Sequence, residues 1–145
     1  MIEFENSVTI RRPREEVFAF LANFENVPRW NHAIAETRKT TGGPVGVGSR
    51  FLQVRQVPRR SEEAFEVTGY EPPHYLAIRG TLGPFDSELS YEIGTSGADT
   101  RLVNRIRLRP QGVLGILGQA AAGRIREAVA KNLGVLKEIL EERSG

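Results

Sequence analysis

Apolar and polar residues alternate along positions 2–10. Ile2, Phe4, Val8 and Ile10 fall on one side, and Glu3, Glu5, Ser7 and Thr9 on the other. A period of two predicts a half-buried strand. Asn6 interrupts the apolar side without breaking the period. Pro13 then opens a helix at its first position, where a missing N–H costs nothing. Glu15 and Glu16 follow in the first turn, where they favour the helix dipole. Val17, Phe18, Phe20, Leu21 and Phe24 form its apolar face. Residues 23–31 read as a break and a second short helix, with Pro28 near its start and the single tryptophan, Trp30, within it.

Residues 34–41 are polar and Thr-rich, as in an edge strand. A loop at 42–48 holds four glycines and a proline. It precedes a strand and lacks Lys-Ser/Thr, so it matches no phosphate-binding loop. Strands are predicted at 49–57, 62–70, 75–82 and 85–93, separated by turn residues that include Pro58, Pro72-Pro73 and Gly83-Pro84. A last strand at 100–109 places Leu102, Asn104, Ile106 and Leu108 inward, and Arg101, Val103, Arg105, Arg107 and Arg109 outward. Such regular spacing implies an antiparallel meander.

A long amphipathic helix is predicted from 112 to 142. With Ile125 as reference and about 100° per residue, Gly118, Ala121, Ala122, Ala128, Val129, Leu133, Leu136, Ile139 and Leu140 share one face. Arg126, Glu127, Ala130, Lys131, Lys137 and Glu138 take the other. Asn132 is a lone amide near the middle of the apolar stripe. Helices segregated from a run of strands indicate an α+β fold, with the sheet curled around the helix.

Composition changes this picture little. The chain has 145 residues, a length that fits one domain spanning 1–145. Its 20 basic and 18 acidic residues are interleaved, which argues against nucleic acid. The absence of cysteine rules out disulfides and thiolate chemistry. No signal pattern opens the chain, and no apolar run reaches the ~20 residues of a membrane helix. The expectation is a cytoplasmic protein with no integral membrane segment.

The pattern resembles the START-like, helix-grip superfamily. This comprises the birch-pollen-allergen fold and the bacterial polyketide cyclase/dehydrase and lipid-transport proteins. The likeness rests on the opening strand before Pro13-Arg14-Glu15-Glu16-Val17-Phe18, on Asn26-Val27-Pro28-Arg29-Trp30-Asn31, and on Val45-Gly46-Val47-Gly48-Ser49-Arg50-Phe51. It also rests on Val67-Thr68-Gly69-Tyr70-Glu71-Pro72-Pro73, Asp99-Thr100-Arg101-Leu102 and the terminal helix. The resemblance implies a seven-stranded antiparallel sheet gripping the C-terminal helix, two short helices after the first strand, and an apolar cavity between sheet and helix. It supplies no universal catalytic motif.

Candidate site residues follow from strand and helix facing. Val8, Phe51, Phe65, Val67, Leu89, Tyr91, Ile106, Leu117, Ala121, Ile125 and Val129 are expected to form apolar walls. Trp30, Tyr91, Asn104 and Asn132 are expected to orient a ligand. Each polar member has a second reading: a core tyrosine with a satisfied hydroxyl, a packed tryptophan, or amides bonded to backbone or water. His32 and His74 lie in loops without metal-ligand spacing. Glu71 and His74 are separated by two prolines. No metal or cofactor is therefore expected. A Gly-x-Ser-x-Gly elbow is also missing.

The outward arginines of 101–109 are expected to pair with Glu88 and Glu92 across the sheet. The facing of Arg79 is open. Ile116 falls opposite Ile125, which leaves a homodimer or membrane contact open, and the glycine-rich stretch 112–118 is a candidate gate. Function is expected to be binding or transport of a small hydrophobic ligand (a lipid, polyketide or isoprenoid-like molecule). A metal-independent polyketide cyclase/dehydratase and a protein-interaction module are the alternatives.

Overall fold

A computed structural model describes residues 1–112 and 115–142, excluding the side chains at 115 and 116. The expectations for Ile116 and for the middle of the 112–118 stretch therefore lie outside the described residues. The opening strand, β1 (Ile2–Ile10), keeps its predicted bounds. It leads to α1 (Arg14–Ala22), a 3-10 turn (Phe24–Asn26) and the short α2 (Val27–Trp30). Pro13 sits one place earlier than expected, as the extended residue capping α1. Six strands follow: β2 (Ile34–Lys39), β3 (Arg50–Arg55), β4 (Ser61–Glu71), β5 (Tyr75–Leu82), β6 (Phe85–Ser96) and β7 (Asp99–Pro110). The long helix α3 runs from Gly115 to Glu142.

The seven strands form one antiparallel sheet in the order β1-β7-β6-β5-β4-β3-β2. β2 to β7 thus meander, and β1 returns beside the last strand. The inward positions of β7 are Leu102, Asn104, Ile106 and Leu108, all buried, as the alternation predicts. Arg79 is settled by register. It lies between Glu66 and Glu88 on the outer face and is exposed.

The second half of α3 is closely held. Leu133, Leu136 and Leu140 are fully buried against Ile93, Leu102, Leu76 and the helix α1 residues Val17 and Leu21. Burial of each leucine contributes about 1.5–3 kcal/mol. Polar contacts pin the same end. Lys137 Nζ donates to the Thr9 carbonyl at 2.6 Å and to Glu141 at 2.6 Å, and the Arg11 backbone N–H donates to Glu141 at 2.9 Å. The first half of α3 is more open. Ala128 was expected on its buried face and is exposed, because the stripe narrows to Ala121, Ala122, Ile125 and Val129. No helix among the described residues is long and apolar enough to cross a membrane.

Candidate functional site

The inner side of the sheet carries two apolar clusters. The larger one joins α1, α2, the buried ends of β6 and β7, and the second half of α3. The smaller one brings Phe85, Ile106 and Leu108 against Ala122, with Ile2, Phe4, Ala121 and Ile125 packed on it. Leu89 and Val129 touch both.

A polar seam marks their boundary. On β1, Asn6 separates Phe4 of one cluster from Val8 of the other. On β7, Asn104 separates Ile106 from Leu102. Asn6 and Asn104 stand opposite one another in register, and Asn104 stands opposite Tyr91 on β6. On α3, Asn132 follows Val129 at the same boundary and is buried.

The seam is only partly satisfied. Asn104 Nδ2 donates to the Ser90 carbonyl at 3.3 Å, which turns Oδ1 the other way. That Oδ1 and the Nδ2 of Asn6 are both sealed from water with no hydrogen-bond partner. Each such group costs about 1–3 kcal/mol. Burial pushes the Tyr91 phenol pKa well above its ordinary value.

The other expected wall and orienting residues divide into three groups, with Val8 half-buried against the larger cluster. Trp30, Phe51, Phe65, Val67 and Tyr91 are buried in the larger cluster. Phe51 and Phe65 stack at 5.0 Å and 10°, and Phe24 caps the pair at 4.9 and 5.3 Å. These rings therefore spend much of their surface on one another. Ile106, Ala121, Ile125 and Leu89 meet in the smaller cluster, where all but Ile106 remain half-buried. Leu117 corrects the expectation. It is 75% exposed, because Gly118 takes the inward position beside it. It is not part of the wall.

Two features were not assigned to the site from the sequence. One is Asn6, read there only as an interruption of the first alternation. The other is Glu63, which is buried at an inward position of β4. Its carboxylate accepts from Arg55 at 2.8 and 3.0 Å, from Gln53 at 2.9 Å and from the Gly83 N–H at 2.8 Å. Burial alone raises its pKa. The Arg55, Gly83 and Gln53 contacts outweigh that and hold it below the ordinary value of 4.5. His32 and His74 are both exposed, on separate loops. Among the described residues no three histidine, aspartate or glutamate side chains converge as metal ligands would.

The outer face is charged and paired. Arg107 reaches Glu3 at 3.0 Å and Glu88 at 3.2 Å, and Arg105 reaches Glu5 at 2.9 Å and also Glu92. The pairing with Glu88 and Glu92 was expected; the share taken by β1 was not. Two open grooves of about 620 Å³ each cross this face, and Arg79, Glu88 and Arg107 border both. Their borders mix charged with apolar residues, and their charged members lie across the sheet from the polar seam.

Residues 1–141 match the family described as polyketide cyclase / dehydrase and lipid transport. The chain belongs to that family. Its helix-grip fold, a seven-stranded antiparallel sheet curled around a long C-terminal helix, is shared with solved structures of low sequence identity. The Zhui aromatase/cyclase from Streptomyces sp. R1128 is 14% identical, with a TM-score of 0.84 over 99% of this chain and 96% of that one. A START superfamily protein from Mycobacterium smegmatis is 19% identical, with a TM-score of 0.72 over 94% and 98%. Ara h 8.0201 is 9% identical, with a TM-score of 0.76 over 98% and 99%. No curated protein sequence matches this chain. At these identities the likeness establishes the fold alone and leaves the activity to the site.

Proposed function

We propose that this protein binds and carries a small hydrophobic molecule, of lipid, polyketide or isoprenoid type, between the inner face of its sheet and the first half of α3. One observation carries the reading: the inner face changes character along its length. At Leu76, Leu102, Leu136 and Leu140 it is closed, with no exposed surface. At Ile78, Leu89, Ala121, Ile125 and Val129 the inward apolar residues keep part of their surface accessible. Unmet polar groups lie at the boundary. A few orienting polar groups beside apolar wall are what a site for an apolar ligand requires.

A cyclase is the second reading, favoured by the protonated Tyr91 beside the amides. The Tyr91 hydroxyl and the free Nδ2 of Asn6 could donate to an enolate as charge develops. Aldol closure also needs a base. Among the described residues, Glu63 is the single carboxylate at an inward strand position, and Arg55, Gln53 and Gly83 occupy it. This supports carriage over catalysis.

The test is a titration with Nile red, an uncharged apolar dye, on the native protein, Ile125→Trp and Arg79→Glu. Circular dichroism would check that each variant folds. The carrier reading expects saturable binding that Ile125→Trp weakens at least tenfold and Arg79→Glu leaves unchanged. Binding lost through Arg79→Glu but kept in Ile125→Trp would move the site to the outer face and overturn it. Turnover of a poly-β-keto thioester to an aromatic product would decide for the cyclase.

A further inference from the structure

We infer that Asn6 and Asn104 together select a ligand whose polar end is uncharged and both donates and accepts a hydrogen bond, such as an alcohol, in preference to a carboxylate. This rests on the carrier reading above and adds a specificity-determining residue, Asn6, to it.

The two amides are complementary. Asn104 is fully buried, and its bond to the Ser90 carbonyl fixes which side of the amide remains free. The free side is an acceptor, Oδ1. Directly opposite, Asn6 presents a free donor, Nδ2. A hydroxyl placed at the seam donates to the first and accepts from the second. A carboxylate offers acceptors alone and leaves Oδ1 unmet. An alkane satisfies neither group. Both atoms are sealed from water, so a head group has to displace the side chains over them.

Charge points the same way. A carboxylate in a desolvated site needs a cation. At inward strand positions the basic residues are Lys39 and Arg55, and both are committed. Arg55 holds Glu63, and Lys39 Nζ donates to the carbonyls of Thr41, Gly42 and Gly43. Lys137 on α3 is bonded to Thr9 and Glu141. Arg79, the arginine that could have met an anion had it turned inward, faces out. The burial that raises the Tyr91 phenol pKa likewise disfavours an anion beside it.

The experiment is competition against bound Nile red by decanol, decanoate and decane, on the native protein, on Asn6→Leu and Asn104→Leu, and on the double variant. Decanol should compete at about tenfold lower concentration than either other ligand, the factor expected from about 1.4 kcal/mol. In the double variant decanol should fall to the level of decane while Nile red still binds. Should the double variant fail to fold, each single variant should lose part of the preference. Decanoate competing as well as decanol, or the preference surviving in folded variants, would overturn the inference and leave the carrier reading standing. Failure of Nile red to bind the native protein would instead remove the carrier reading, and the inference with it. A purely structural role for the amides would alter melting temperature and leave the ligand order unmoved.

Discussion

Glu63 and Arg55 are joined by two parallel hydrogen bonds, at 2.8 and 3.0 Å, on the inner side of the sheet. The glutamate side chain is 2% exposed and that of the arginine 15%. Arg55→Met leaves a buried carboxylate short of its main partner and should cost about 3–5 kcal/mol in urea unfolding. Replacing both, as Glu63→Leu with Arg55→Met, should cost far less. The pH dependence follows from the depressed Glu63 pKa. Its contribution is complete above the ordinary value of 4.5 and is lost as pH falls through the lower folded value. The double variant should therefore lose less stability than the native protein on acidification below 4.5.

Glu141 provides a second pH-dependent contact. The hydrogen bond from Lys137 and those from Arg11 hold its carboxyl near 2. The stabilisation is present above about 4.5 and disappears as pH drops toward 2. The melting-temperature difference between the native protein and Glu141→Gln should be constant at neutral pH and shrink across that acid range. A difference that grows on acidification would contradict this anchoring of α3.

Gly80 sits on β5 where β4 approaches closely. A Cβ there would lie 2.6 Å from Phe65 Cβ and 2.7 Å from Phe65 Cα. These atoms cannot swing away, since they belong to the backbone and the base of a stacked ring. Gly80→Ala should destabilise by about 1–3 kcal/mol or more, read as a lower urea midpoint with an unchanged slope.

Arg107 touches more acids than Arg55 does, yet it should matter less. Its side chain is 52% exposed, and Glu3 and Glu88 are exposed too. Surface pairs of this kind contribute about 0–1 kcal/mol. Arg107→Ala should lie within about 1 kcal/mol of the native protein, and raised salt should erase what difference exists.

Much of the fold was legible because strand alternation is a strong signal. The facing of Leu102, Asn104, Ile106 and Leu108 and the outward arginines of the same strand follow from it directly. Helical spacing was a weaker guide in the first half of α3. Small residues blur the stripe there, so Ala128 and Leu117 face solvent and Gly118 faces in. Partners across strands were harder still. Glu63 is adjacent to Glu62 in a polar run, and only the β3–β4 register places Gln53 opposite it and Arg55 within reach. The facing of Arg79 likewise needed the pairing with Glu66 and Glu88. The register shift between Val67 and Gly69 has no mark in the sequence and alters which residues of β4 share a face. Asn6 was visible as an interruption, but its meaning depends on standing opposite Asn104.

On the carrier reading, an apolar ligand sits between the inner face of the sheet and the first half of α3. Nuclear magnetic resonance mapping during titration with decanol reads this residue by residue. The account predicts that shifts concentrate at Leu89, Ile106, Ile125 and Val129 and at the side-chain amides of Asn6, Asn104 and Asn132, while Thr68, Arg79 and Thr81 on the outer face stay still. Shifts confined to those outer residues, with the inner methyl groups and amides unmoved, would contradict it.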